Sequence, residues 1–320
     1  MEVLQMTIEY FAPLSKALEW MKSALFRPFD IRTWFVVGFT AFLAELGEMG
    51  GNVPNFSSSW RDRSFADKWE RFPELVSDWI SEHPQLVIVI LFAIALALVL
   101  GIALLWVSSR GKFMFLDNVV HRRAQVSAPW SEFENQGNSL FLWSLAFGLV
   151  SVLILLPYIV LSFLHLRDLY EMSDTVGEFL LPLIGLLSGF GVLMLIVSFI
   201  SMLLTDFVVP IMYRERIRTV AAWGVFMPLL KAHALSFILY GVLKFFLVVT
   251  IAVALALVGC ATCCIGFLIL FLPYLGSVVR LPISYTFRAY GVSFLEQFGE
   301  QYRIFPLPAA EIDPNAPPSF

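Results

Sequence analysis

The amino-acid sequence predicts an all-α fold, a polytopic transmembrane helix bundle of about six spans with cytoplasmic interfacial amphipathic helices. Composition is the first reason: 59% of the 320 residues are hydrophobic and 14% are charged, about half the charge of an ordinary soluble domain. The second is that the apolar residues gather into long uncharged runs, the pattern a hydrocarbon core demands. The third is an uneven distribution of Lys and Arg between the segments that join those runs. A formal net charge of −4 is too small to argue for nucleic acid or an acidic substrate, so nucleic acid is not expected as a partner.

The clearest run is 85–107, QLVIVILFAIALALVLGIALLWV, without a charge. As a helix it extends roughly 35 Å, enough to cross a ~30 Å core with some tilt. Residues 140–166 and 179–204 follow as a second pair of spans around the polar segment that begins at Arg167. Residues 234–258 and 262–280 are together too long for one crossing and read as a tight helical hairpin. The first span, 31–49, is short and ends in Glu45 and Glu48. A cleaved signal is the rival reading, but an amphipathic helix precedes the run, far longer than a signal n-region. The organisation expected is a cytoplasmic helix over 1–30, a membrane domain over 31–290 with an external segment at 50–84, and a cytoplasmic tail over 291–320. Trp69, Phe72, Val76, Trp79 and Ile80 predict a short helix within the external segment.

Orientation follows from cations beside the spans. Fifteen Lys and Arg flank one side, among them Arg110, Lys112, Arg122, Arg123, Arg214, Arg216, Arg218 and Arg280; five flank the other. By the positive-inside rule both termini are cytoplasmic in a multi-pass protein of the cell membrane. Three joining segments carry apolar stripes beside basic residues: Leu14, Leu18, Met21 and Leu25; Phe113, Leu116, Val119 and Val120; and Val220, Trp223, Met227 and Leu230. Such helices suit the headgroup plane of an anionic leaflet, so anionic membrane lipids are the expected partners. The candidate headgroup contacts are Arg110, Lys112, Arg122, Arg123, Arg214, Arg216 and Arg218; protein partners are not specified.

The stripes recur with a larger unit. Val126 to Phe133, with Trp130, precedes the third span, and Val220 to Phe226, with Trp223, precedes the fifth. An amphipathic helix followed by a two-span hairpin therefore repeats, which suggests duplication of a membrane unit. Three stretches carry a resemblance: Pro28 to Phe35 with Gly47 and Glu48; Arg110 to Asn118 running to Trp130; and Thr262 to Gly266 through Pro273 and Tyr274 to Tyr290. They resemble an uncharacterised family of prokaryotic multi-span membrane proteins. The architecture is similar to the membrane domain of some glycerophosphoryl diester phosphodiesterases. The resemblance supplies no catalytic residues, and that enzyme's soluble barrel has no counterpart here, so its activity is not implied.

No catalytic, cofactor-binding or metal-binding constellation is legible. His83, His121, His165 and His233 stand apart in sequence, and none forms the His-Glu-x-x-His pattern that sets two ligands on one helical face. Cys260, Cys263 and Cys264 cluster at the turn between the last two runs, without a second cluster to complete a four-ligand site. Charges inside or at the edge of the membrane are the better pointers, because burying them is costly unless they are paired or face water. Those candidates are Asp206 with Lys244, which are placed to pair, and Glu45 with Glu48 at the outer end of the first span. Three functions fit: a non-enzymatic lipid- or protein-organising membrane domain, a small-molecule or ion transporter or channel built from repeated hairpins, and an intramembrane lipid-modifying enzyme needing convergent His, Asp and Glu.

Overall fold

A computed structural model describes residues 8–47, 72–172, 176–262, 270 and 272–306, which form helices and no strand. In chain order they are α1 (Phe11–Leu25), α2 (Ile31–Glu45), α3 (Phe72–Glu82), α4 (Pro84–His121), α5 (Ser127–Glu132), α6 (Glu134–Met172) and α7 (Val176–Leu203). A π-helical turn, Leu204–Val208, leads into α8 (Val209–Glu215), followed by α9 (Thr219–Ala232), α10 (Ala234–Ala261) and α11 (Pro273–Leu295). Two 3₁₀ turns, Glu296–Phe298 and Glu300–Tyr302, close the described chain.

Four segments are long and apolar enough to cross a membrane: Pro84–His121, Glu134–Leu166, Leu180–Glu215 and Ala234–Ala261. Within α4, residues 88–104 are exposed without interruption. Water would not tolerate that surface, whereas lipid requires it. Helices α2 and α11, which include parts of the expected spans 31–49 and 262–280, are not among the four.

The chain divides into two compact units. Unit 2 comprises Gly47–Leu105 and Ser144–Ser198. In it the Tyr158 hydroxyl donates to the Leu186 carbonyl at 2.8 Å, over Gly189, where a Cβ would collide with the phenol oxygen. Helix α3 forms where the external segment predicted one; Trp69 lies outside the described residues.

Unit 1 comprises Met1–Leu46, Trp106–Trp143 and Phe199–Phe320, and it alters three expectations. The stripe at Phe113, Leu116, Val119 and Val120 is not an interfacial helix. It is the last third of the continuous helix α4, where Ser108 to Gly111 and Phe113 to Val120 are all buried. An all-round buried helix is a core helix, not a surface one. The described part of the expected tail, through 306, is also core: Val292, Phe294, Leu295, Phe298 and Phe305 are buried, and the Phe305 ring lies tilted 4.5 Å from that of Trp20. Helix α1 buries Met21 and Leu25 of its expected membrane-facing stripe in protein, together with Pro13 and Ala17, while Leu18 stays 38% exposed.

Helix α2 is started by Asp30, whose carboxylate accepts from the Arg32 and Thr33 backbone N–H groups and from the Thr33 hydroxyl at 3.0, 3.3 and 2.8 Å. The helix then lies against α4 and α11 at glycine distance. A Cβ on Gly111 would stand 2.7 Å from the Leu43 carbonyl carbon and the Ala44 nitrogen, and one on Gly38 would stand 2.7 Å from a Val278 methyl. The Ser108 hydroxyl donates to the Ala44 carbonyl at 2.7 Å.

Two outcomes follow. Gly111→Ala forces backbone apart and lowers the stability of purified protein by about 1–3 kcal/mol in thermal or denaturant unfolding. Gly101→Ala, whose Cβ meets nothing within 4 Å, is neutral or mildly stabilising. The Thr33 hydroxyl first, and then the Arg32 N–H, hold the Asp30 carboxyl below its ordinary range. Its cap is therefore fully present above the unfolded carboxylate pKa and is lost as pH falls through the lower folded value. An acid titration of helix content with Asp30→Asn lacks that component, since the amide still caps but does not titrate.

Candidate functional site: two buried carboxylates and their cations

Pro210 shapes the first carboxylate site. It has no N–H for the Asp206 carbonyl four residues earlier, and its ring crowds that oxygen. The helix widens just before it: the Val209 N–H bonds to the Leu204 carbonyl, one residue beyond its α-helical acceptor, Thr205. The Thr205 carbonyl so released accepts from Arg288 Nη1 of α11 at 2.8 Å. Gly291 admits the same turn closely, since a Cβ there would lie 3.1 Å from the Asp206 carbonyl oxygen. The π-helical turn thus converts a proline defect into a docking point for α11.

On that turn the Asp206 side chain is buried at 4% exposure, and its Oδ2 accepts the Tyr240 hydroxyl at 2.9 Å. Lys244 Nζ forms a close ion pair with the same oxygen. The Asp206–Lys244 pairing open in the sequence is therefore made, and Tyr240 is the third member that sequence spacing did not suggest. Tyr290 stacks on Tyr240 at 4.9 Å. Burial first, and then the Asp206 charge, push the Tyr290 phenol above its usual range, so it stays protonated.

A second carboxylate, Asp117, is built the same way. Only 1% exposed, it accepts Arg123 Nε and Nη2 on one oxygen at 2.9 and 2.7 Å. The Tyr213 hydroxyl donates to its other oxygen at 2.9 Å, and His121 Nδ1 lies 3.1 Å from that atom. Each buried Asp thus takes one tyrosine hydroxyl and one cation. The sequence carries a signal for this equivalence: Asp117-Asn-Val-Val and Asp206-Phe-Val-Val share a spacing, each ahead of a Trp-bearing helix, α5 or α9. Phe133 and Phe226, three residues after those tryptophans, are both fully buried.

The predicted headgroup contacts divide sharply. Arg110 is unavailable to lipid: its side chain is 8% exposed, bonds Glu134 at 2.8 Å and Asn138 at 3.1 Å, and lies over Trp106 and Trp130 at 4.5 and 5.1 Å. Arg123 belongs to Asp117. Lys112 lies 3.4 Å from the Thr205 hydroxyl. Arg216 pairs with Glu132 at 2.5 Å and covers Phe133 at 4.1 Å. Arg122 is exposed, with its guanidinium 3.5 Å from the Trp20 ring centre. Arg214, beside Glu215 at 3.6 Å, and Arg218 are also exposed.

Glu45 corrects the expected topology. Ser284 donates to it at 2.8 Å, and Arg280 lies 3.5 Å away. The sequence places Glu45 at the outer end of a span and Arg280 on the cytoplasmic side, and two groups in contact cannot occupy opposite faces. Glu48, Cys263 and Cys264 lie outside the described residues; Cys260 is exposed at the end of α10. His83 stacks on Trp79, His233 lies 5.2 Å from the Phe298 ring, and His165 is exposed. Among the described residues no three His, Cys, Asp or Glu side chains are grouped to hold a metal ion.

Residues 9–275, most of the chain and both Asp-x-Val-Val segments, match a family of unknown function, DUF7544. The chain belongs to the DUF7544 family. No curated protein and no solved structure matches this DUF7544 protein.

The buried pair has a measurable signature. Lys244→Met strands the Asp206 carboxylate and destabilises the DUF7544 protein by about 3–5 kcal/mol. Lys244→Met with Asp206→Asn recovers most of that loss, because a neutral amide needs no counter-charge. Unfolding of the singles and the double in one detergent reads the coupling.

Proposed function

We propose that the DUF7544 protein is a non-enzymatic, multi-pass protein of the cell membrane that organises anionic lipid on its cytoplasmic face. The single observation that carries this reading is the outer surface of α9. The helix buries Thr219, Ala222 and Phe226 while Val220, Val225 and Met227 stay 73%, 42% and 36% exposed. Arg214 and Arg218 precede that apolar strip and Lys231 ends it. A helix anchored by one face, with an uncovered apolar strip between cations, matches the chemistry of a headgroup boundary.

The cation bias of the sequence supports placing this surface, and both termini, in the cytoplasm. Glu45 then lies with Arg280 on that same side. The four long apolar segments supply four crossings; three of them precede α9, so termini on the side of α9 take one further crossing before Pro84 and one after Ala261. Helices α2 and α11 are bundle members that pack on protein more than on lipid. A transporter would need polar side chains turned toward a path, and the ion pairs of Asp117 and Asp206 support a structural use instead.

The test uses the intact protein reconstituted in mixed anionic and zwitterionic bilayers, with retained lipid measured by mass spectrometry. Replacing Arg122, Arg214 and Arg218 together by Gln removes roughly 1 kcal/mol of attraction per residue, and anionic enrichment falls toward the bulk composition. Arg110→Gln lowers stability instead and leaves the enrichment in place. Enrichment unchanged in the triple variant would contradict the lipid reading.

A further inference from the structure

An apolar groove of about 240 Å³ opens between α1, α10 and α11. Leu14, Leu18 and Met21 form one wall, Leu247 and Ile251 the second, and Ile283 and Phe287 the third. Its one polar lining group, Thr286, is already satisfied, since its hydroxyl donates to the Pro282 carbonyl at 2.7 Å. With no polar group calling for water, such a cavity stays dry or fills with hydrocarbon.

What fills it follows from where the second wall lies. Leu247 and Ile251 are on α10, one of the four segments apolar enough to cross a membrane. The adjoining residues Phe245, Phe246, Val248 and Val249 are 63%, 61%, 45% and 42% exposed, a surface that only lipid chains would cover. The groove is continuous with that surface through the helix they share. Its size fits as well: about 240 Å³ takes a short stretch of hydrocarbon. That is part of one lipid chain and too small for a helix of a second protein.

We propose that this groove holds one hydrocarbon chain of a membrane phospholipid. The proposal deepens the lipid-organising reading by assigning it a chain site apart from the headgroup surface. Held this way, a lipid becomes a fourth wall joining the amphipathic α1 to the membrane helix α10.

The intact protein is reconstituted with a phospholipid carrying a photoreactive diazirine on its chain, irradiated, and mapped by peptide mass spectrometry. Adducts are expected on Met21 and Ile283 several-fold above those on the open surface residues Val249 and Leu153. Leu18→Trp, which fills the groove from α1, lowers the Met21 and Ile283 adducts to the level of Val249. Ile283→Trp does the same to Met21 from the opposite wall, so one poorly folding variant does not remove the test. Leu153→Trp leaves the groove adducts as they were. Groove labelling no higher than at Val249, or unaffected by both fillings, overturns the proposal, as does cross-linking of groove peptides to a second copy of the chain. The Arg122, Arg214 and Arg218 variant changes headgroup preference and leaves groove adducts in place, which separates failure of the chain site from failure of the headgroup surface.

Discussion

A carboxylate taken out of water must be given back what water supplied, and unit 1 is organised around doing so twice. Asp117 and Asp206 each receive a tyrosine hydroxyl and a cation from elsewhere in the unit. Removing either charge from water costs several kcal/mol, so neither Asp is tolerable until its partners are in place. The helices bearing those partners are therefore fixed in position and rotation. Asp117 ties the end of α4 to Tyr213 on α8, and Asp206 ties the π-helical turn to α10. The net gain in stability from such pairs is small; we regard their contribution here as specifying one arrangement of otherwise interchangeable apolar helices.

Close approach between helices depends on the same arrangement. Gly291 and the carbonyls released at the π-helical turn let α11 reach Asp206 and Thr205, while Gly111 and Gly38 bring α2 against α4 and α11. Small residues at crossing points are how apolar helices pack when lipid is as apolar as their side chains. Arg110 is accommodated by the same means: Gly137 leaves room beside its side chain, and its guanidinium is enclosed by two indoles and Glu134. Arg122, Arg214 and Arg218 remain exposed at the surface, the last two just ahead of the uncovered apolar side chains of α9.

The helical class and the four long crossings were legible because a run such as 85–107 has one physical explanation. The candidate pair Asp206 and Lys244 was legible from the expense of burying charge. Other features were hidden for identifiable reasons. Phe113, Leu116, Val119 and Val120 satisfy an amphipathic period, but Ser108, Ser109, Asp117 and Asn118 on the remaining faces are buried too. Periodicity cannot distinguish a polar residue facing water from one facing a buried partner. Arg280 and Arg288 read as flanking cations because their acceptors, Glu45 and the Thr205 carbonyl, lie far away in the chain. The residues after 290 lack a long apolar run, yet their aromatic side chains supply core. The shared Asp-x-Val-Val spacing was the available clue to two equivalent carboxylate sites. It gains force only when Tyr213 and Tyr240 are seen on the acids.

The account turns on whether residues that resemble a membrane-surface helix are instead enclosed by protein. A spin-label scan from Ser108 to Val120, read by accessibility to oxygen and to a polar nickel reagent, measures this directly. The account predicts uniformly low accessibility to both along the segment, with Lys112 the permitted exception, while labels at Val220 and Val225 on α9 are open to oxygen. A 3.6-residue period, with Phe113, Leu116 and Val120 in contact with lipid and Asp117 in contact with water, would contradict it.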